Sequence, residues 1–306
     1  MAPPPHLPVQ CSKTMTVQGF GSLLGYLPFL LTLLIGGGIV MCYCMAVAYG
    51  HVEAAFPYIS DTGTFPPESC VFTLFLNCAA VVLLAIFTLK YLHVVQYNRQ
   101  CSSAVTRINT AALVIGYVAA FGIMVVGAFQ ETNVLAVHVL GAMMAFIGGT
   151  VYMFLIASLG FRRDVNFGVD ERGYAKARLF MAFLSAISFI ISMTASCVAW
   201  YQWVPFDPDS KSKLWNERDK VPQWKRSPHL YGYNIHLVAT AFEWVMALDL
   251  LAFLMTFSQE LHIIQLQVVL VRHPLCSILS SPAVSANSQH TTQDVLLDTD
   301  NELCES

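Results

Sequence analysis

Six long apolar runs constrain this chain more than any other feature. They are Leu23–Tyr49, Val71–Leu89, Thr110–Ala128, Val134–Leu159, Leu179–Trp200 and Ile235–Phe257, each 19 to 27 residues long. At about 1.5 Å per residue a helix of that length crosses a hydrocarbon core of about 30 Å. None of the runs alternates with period two, which favours helices over a β-barrel, the other structure that satisfies its backbone inside lipid. Charge is confined accordingly: of the 35 charged residues only Glu243 and Asp249 fall within the runs. The predicted fold class is all-α, a polytopic membrane bundle of six transmembrane helices. With 56% hydrophobic residues, 11% charged residues and a net charge of −3, the composition excludes a soluble globular domain, a disordered chain and a disulfide scaffold. It also argues against nucleic acid as a partner. The partner the runs demand is the lipid bilayer.

Orientation follows from the distribution of Lys and Arg. The N-terminal arm, residues 90–107, residues 161–178 and the C-terminal tail hold ten of the 16, and the short links 50–70 and 129–133 hold none. The positive-inside rule then places both termini in the cytosol and the two empty links in the lumen. The segment 201–234 argues the other way with six basic residues, offset by four acids. Residues 1–22 read as a cytosolic arm leading into an uncleaved signal anchor, because no charged n-region or cleavage site precedes the first run. Residues 23–257 form the six-helix domain and 258–306 a cytosolic tail, Ser/Thr-rich and disordered beyond about 273. Within that tail Leu261–Val271 has a weak amphipathic pattern, read as a surface helix.

The nine cysteines are an odd count scattered through the spans. A Cys70–Cys197 bridge and buried free thiols both remain open, with free thiols the simpler reading.

Polar residues inside an apolar run are expensive and therefore informative. His138, His236 and Asn77 fall near the lumenal boundary. Glu243 lies two turns deeper than His236 on the same face, and Asp249 sits nearer mid-membrane on another face. With His51, Asp61, Glu68 and Glu131 from the links, they make a titratable group on one side of the membrane. Three readings compete: polar packing, a pH-responsive switch based on the histidine pKa near 6.5, and an ion pathway or metal-dependent hydrolase. No histidine pair has ligand spacing, so no metal and no cofactor are expected. Catalytic motifs fail as well, so no catalytic residues are assigned. Asp61-Thr62-Gly63 copies the aspartic-protease triplet but lacks a second carboxylate on a paired lobe. Its residues suit a turn instead, with Gly63 supplying free dihedrals and Asp61 and Thr62 bonding local backbone. The loop is expected to cap the lumenal end of the bundle against His138 and His236. Small residues repeat at every fourth position in the third run (Ala112, Gly116, Ala120) and in the fourth (Gly141, Ala145, Gly149), the spacing that lets helices pack closely in lipid. A homodimer interface is the alternative use of these stripes.

The link segment Phe56-Pro57-Tyr58-Ile59-Ser60-Asp61-Thr62-Gly63-Thr64, followed by Pro67-Glu68, closely resembles the signature of the DRAM family, the damage-regulated autophagy modulators. Further elements match in order: Phe129-Gln130-Glu131 with His138 downstream, Leu214-Trp215-Asn216, and His236 with Glu243-Trp244. The Ser-Asp-Thr-Gly-Thr form is more similar to the DRAM proteins proper than to their plasma-membrane relatives. Extra residues around 221–229, the Pro-rich arm and the long tail depart from the pattern. The resemblance implies a lysosomal multi-pass membrane protein that modulates or promotes autophagy without catalysis, with unnamed protein partners in the autophagy machinery. One alternative is a plasma-membrane or other endomembrane regulator of phosphoinositide kinases or channels. A lipid or ion transporter is a third.

Overall fold

The structure, a computed structural model, describes residues 15–17, 21–98, 100–162, 171–203, 232–264 and 268–270. Among the described residues eight α-helices follow one another: α1 (Gly21–Leu24), α2 (Leu27–Ala48), α3 (Glu68–Tyr97), α4 (Ser103–Ala128), α5 (Leu135–Gly160), α6 (Glu171–Trp203), α7 (Tyr233–Met255) and α8 (Ser258–His262). Most of each apolar run lies on one of α2 to α7, and six helices among the described residues are long and apolar enough to cross a membrane. The fold is the all-α, six-span bundle that the runs predict.

The helix ends are encoded locally. Pro28 opens α2, where its missing N–H costs nothing. Gly50 closes α2 with φ +70°: its N–H bonds the Val47 carbonyl (3.0 Å) and that of His51 bonds Ala46 (2.8 Å). That pair of bonds is a Schellman stop, which needs a left-handed residue. Gly232, at φ +87°, stands before α7 in contact with the Ala199 backbone of α6.

Consecutive helices pack as antiparallel neighbours, and α7 returns to α2. The tightest joint is α4 on α5. A Cβ on Gly122 would stand 2.6 Å from the Gly141 carbonyl and 2.6 Å from the Ala145 amide, while Gly141 faces Val125. Gly116 accommodates Phe87 of α3, and Gly149 meets Leu250 of α7. The small-residue stripes are thus occupied by helices of the same chain. Outward faces carry Leu33, Leu74, Val81, Phe121, Phe180, Ile190 and Leu248, all exposed, as helices bathed in lipid require. An aromatic cluster of Phe87, Tyr152, Phe253 and Phe257 fills the bundle toward the end that bears the termini.

That end also holds three charges that the runs exclude by one to three residues. Lys90, Arg178 and Glu260 are 2%, 4% and 5% exposed. Lys90 donates to Glu260 at 2.5 Å and the Arg178 guanidinium to Glu260 at 2.9 Å. Arg178 also bonds the Thr256 hydroxyl (2.8 Å) and carbonyl (3.1 Å). Both cations lie over the Phe257 ring, at 5.3 Å and 4.8 Å. One carboxylate therefore ties α3, α6 and α8 together, and the two cations belong to the packed interior rather than to solvated loops.

Two further expectations change. Among the described residues of the segment 261–271 the surface helix is not continued: α8 ends at His262, and Val268–Leu270 (β2) pairs antiparallel with Met15–Val17 (β1), in register Thr16 to Val269. This joins the arm to the tail. Cys70 and Cys197 are free thiols and exposed, as are Cys44 and Cys78, and Cys42 is the buried one of the described cysteines. The Leu214–Asn216 stretch and the tail beyond residue 270 lie outside the described residues.

Replacing Glu260 by Ala strands two buried cations. The cost of breaking such a pair is about 3–5 kcal/mol. The full-length E260A variant in detergent should unfold at markedly lower temperature than wild type, read by intrinsic tryptophan fluorescence.

Candidate functional site

At the opposite end of the bundle, the link between α2 and α3 folds inward. Its turn is built from its own side chains. Thr62 donates to the Ile59 carbonyl (2.7 Å) and Thr64 to that of Ser60 (3.1 Å), winding Asp61–Gly63 into a single 3-10 turn. Thr62 and Thr64 are buried, 0% and 4% exposed. Gly63 does not have positive φ here. Its role is clearance, because a Cβ would collide with the Phe72 ring at the start of α3. The reason for this glycine is a contact, not a dihedral angle.

Four consecutive residues of the link reach three different parts of the bundle. The Pro57 carbonyl accepts the Trp244 indole N–H of α7 (2.9 Å), and Trp244 packs edge-on to Tyr43 of α2. The Tyr58 hydroxyl bonds Ser196 of α6 (2.8 Å), while its ring meets His236 of α7 edge-on at 4.9 Å. The Ile59 N–H points to the Glu243 carboxylate of α7 (3.4 Å), and the Ser60 hydroxyl donates to Glu131 in the α4–α5 turn (2.9 Å). Burial holds the Tyr58 phenol well above its usual range; the bond to Ser196 acts against this, and the negative charges of Glu243, Asp61 and Glu131 add to it. The phenol therefore stays a neutral donor. Beside the turn, His51 bonds Glu68, which is wholly buried at the first residue of α3.

The link thus meets His236, whereas His138 holds its own hairpin: it is 6% exposed and its Nδ1 donates to the Phe129 carbonyl (2.7 Å). Glu131, Glu243 and Asp61 converge on the link. Asp249 does not; it is 7% exposed further along α7, and its Oδ2 has no partner among the described residues. Asn77 bonds the Thr73 carbonyl of its own helix. No three His, Cys, Asp or Glu side chains among the described residues are arranged to hold a metal ion.

Sequence reasoning passed over Ser196, although a signal was available. Ser185, Ser188, Ser192 and Ser196 recur at three- and four-residue spacing, one face of a helix. Ser185 bonds Thr150 of α5 (2.7 Å), Ser192 bonds the Ala239 carbonyl of α7 (2.9 Å), and Ser196 bonds Tyr58. This polar seam faces the bundle interior, where interhelical hydrogen bonds belong in lipid.

Behind the link the helices enclose a cavity of about 1050 Å³. Its wall is mostly apolar, drawn from α2 to α7, and its polar end is formed by Tyr58, Asp61, Glu131, His138, Ser196 and Glu243.

Residues 23–264 match the family described as Frag1/DRAM/Sfk1/Cwh43P N-terminal domain. The mouse "DNA damage-regulated autophagy modulator protein 2" is 33% identical over 82% of this chain and 89% of its own. The human "DNA damage-regulated autophagy modulator protein 1" is 29% identical over 80% of this chain and 94% of its own. The Xenopus laevis "Modulator of macroautophagy TMEM150B-B" is 40% identical over 44% of this chain and 56% of its own. No solved structure matches the chain.

Gly63→Ala should cost about 1–3 kcal/mol by overpacking against Phe72. Hydrogen exchange at residues 58–64 should accelerate in this variant and in Trp244→Phe, which removes the bond to Pro57, with exchange in α4 unchanged.

Proposed function

The chain belongs to the Frag1/DRAM/Sfk1/Cwh43P family, and on that premise we propose that it modulates autophagy as a non-enzymatic, multi-pass protein of the lysosomal membrane. The observation that carries the reading is convergence. The residues that carry the family resemblance, Pro57–Thr64 with Glu131, His236, Glu243 and Trp244, are distant in sequence and meet at one end of the bundle. The names of the mouse and human relatives supply the process.

In this reading both termini are cytosolic and the folded link faces the lumen. Six crossings put the two chain ends on one side, and the pairing of β1 with β2 is consistent with that. The lumen side then carries three clustered carboxylates, His51 on Glu68, and a histidine under the Tyr58 ring, a set that meets whatever pH the compartment maintains. The cytosolic side carries the tail, where partners in the autophagy machinery would bind. The link offers no paired nucleophile and base: the Tyr58–Ser196 bond joins two hydroxyls and fixes position.

A tagged copy should co-localise with lysosomal membrane markers, and depletion should change autophagosome turnover measured with and without lysosomal inhibition. Residence at the plasma membrane, or unchanged turnover, would overturn the proposal. For orientation, an Asn-x-Ser sequon inserted in an extended 129–133 link should be glycosylated, and one added to the C-terminal tail should not.

A further inference from the structure

The cavity behind the link has features that the proposed function leaves unused. Its volume of about 1050 Å³ lies at the top of the range of small-molecule pockets, about 300–1,000 Å³. It is long: along α5 it runs from His138 to Met153, about 22 Å at 1.5 Å per residue, more than the roughly 15 Å of one leaflet's hydrocarbon.

It also has a side door. Toward the termini α5 and α6 are fastened by the Thr150–Ser185 bond and by Phe154 packed edge-on to Phe183 at 5.1 Å. Toward the link, Ala136 and Val139 of α5 and Cys197 and Tyr201 of α6 both line the cavity and are exposed. A residue that does both marks an opening, and this one lies between two helices long and apolar enough to cross a membrane. What enters from there is a membrane component.

The charge of the polar end selects among membrane components. Glu131 and Glu243 line it and bear on one another electrostatically, and no Lys or Arg is among the described lining residues. A phosphate or carboxylate head would be repelled. A protonated amine would relieve the repulsion between these two carboxylates, and neighbouring hydroxyls could bond Ser196 and Tyr58. The apolar remainder, with Leu83, Phe87 and Met153 at its far end, suits one hydrocarbon chain.

We propose that this cavity binds a single-chain cationic amphiphile, a long-chain amino alcohol, which enters from the bilayer between α5 and α6 and places its amine between Glu131 and Glu243. The site is independent of the compartment and of the autophagy reading, so either can fail without the other.

The test uses full-length protein in neutral-lipid nanodiscs and three photoactivatable, clickable probes: sphingosine, a fatty acid of equal chain length, and cholesterol. Sphingosine should label the protein, with adducts mapped to the α5 and α6 faces that line the cavity, and excess unlabelled sphingosine should compete. The fatty acid should label about tenfold less, the effect of one charge-assisted contact. Glu131→Gln and Glu243→Gln should each reduce sphingosine labelling, and Ala142→Phe, which fills the cavity, should abolish it. Size-exclusion profiles show which variants are folded, and should one carboxylate variant fail, the other and Ala142→Phe carry the test. Equal labelling by amine and acid, preferential labelling by cholesterol, adducts only on the outer surface, or labelling that survives Ala142→Phe would each overturn the proposal.

Discussion

A polar group inside a bilayer has no water to fall back on, and the interior of this molecule is organised by that constraint. A buried hydroxyl or charge gains by meeting another part of the chain, and where that meeting joins two helices it fixes the distance between them. Ser192 bonds the Ala239 backbone, Ser185 bonds Thr150, and Glu260 receives both Lys90 and Arg178. Apolar contact between helices cannot do this work, because lipid tails solvate Leu and Phe as well as a neighbouring helix does. The glycines of α4 and α5 add close approach, and the polar pairs add register.

The two ends of the bundle meet the constraint in opposite ways. Where the termini lie, an ion-paired and aromatic cluster closes the interior, and β1–β2 pairing ties the arm to the tail. At the other end a folded link supplies backbone and side-chain partners to α6, α7 and the α4–α5 turn. The closed end is held by full charges and the capped end by single hydrogen bonds. Single hydrogen bonds of this kind, to neutral or carboxylate partners, are individually worth about 1–3 kcal/mol, less than breaking a buried ion pair, so the capped end is the softer one.

The spans were legible because lipid demands unbroken apolarity over twenty residues, a demand that is local in sequence. Their boundaries were less so. Lys90, Arg178 and Glu260 look like the first residues of solvated loops until the fold brings them into one pocket, and nothing local distinguishes a charge that meets water from one that meets a partner 170 residues away. Gly63 illustrates a similar ambiguity: a turn composition suggests dihedral freedom, yet the requirement is space for Phe72. The link's convergence with His236 and Glu243 was visible only as shared polarity on one side of the membrane. The cavity was not legible at all, since its volume depends on how far α5 and α6 separate beyond the Thr150–Ser185 bond.

The absent Cβ of Gly63 has a mechanical consequence. With Phe72 pressed on its backbone, the link and the first turn of α3 have no clearance between them and move as one body. From Phe72 the helix continues unbroken to Lys90, about 27 Å away. The rod therefore joins a loop on one side of the membrane to an ion pair on the other, and a tilt imposed at either end arrives at the other as a displacement.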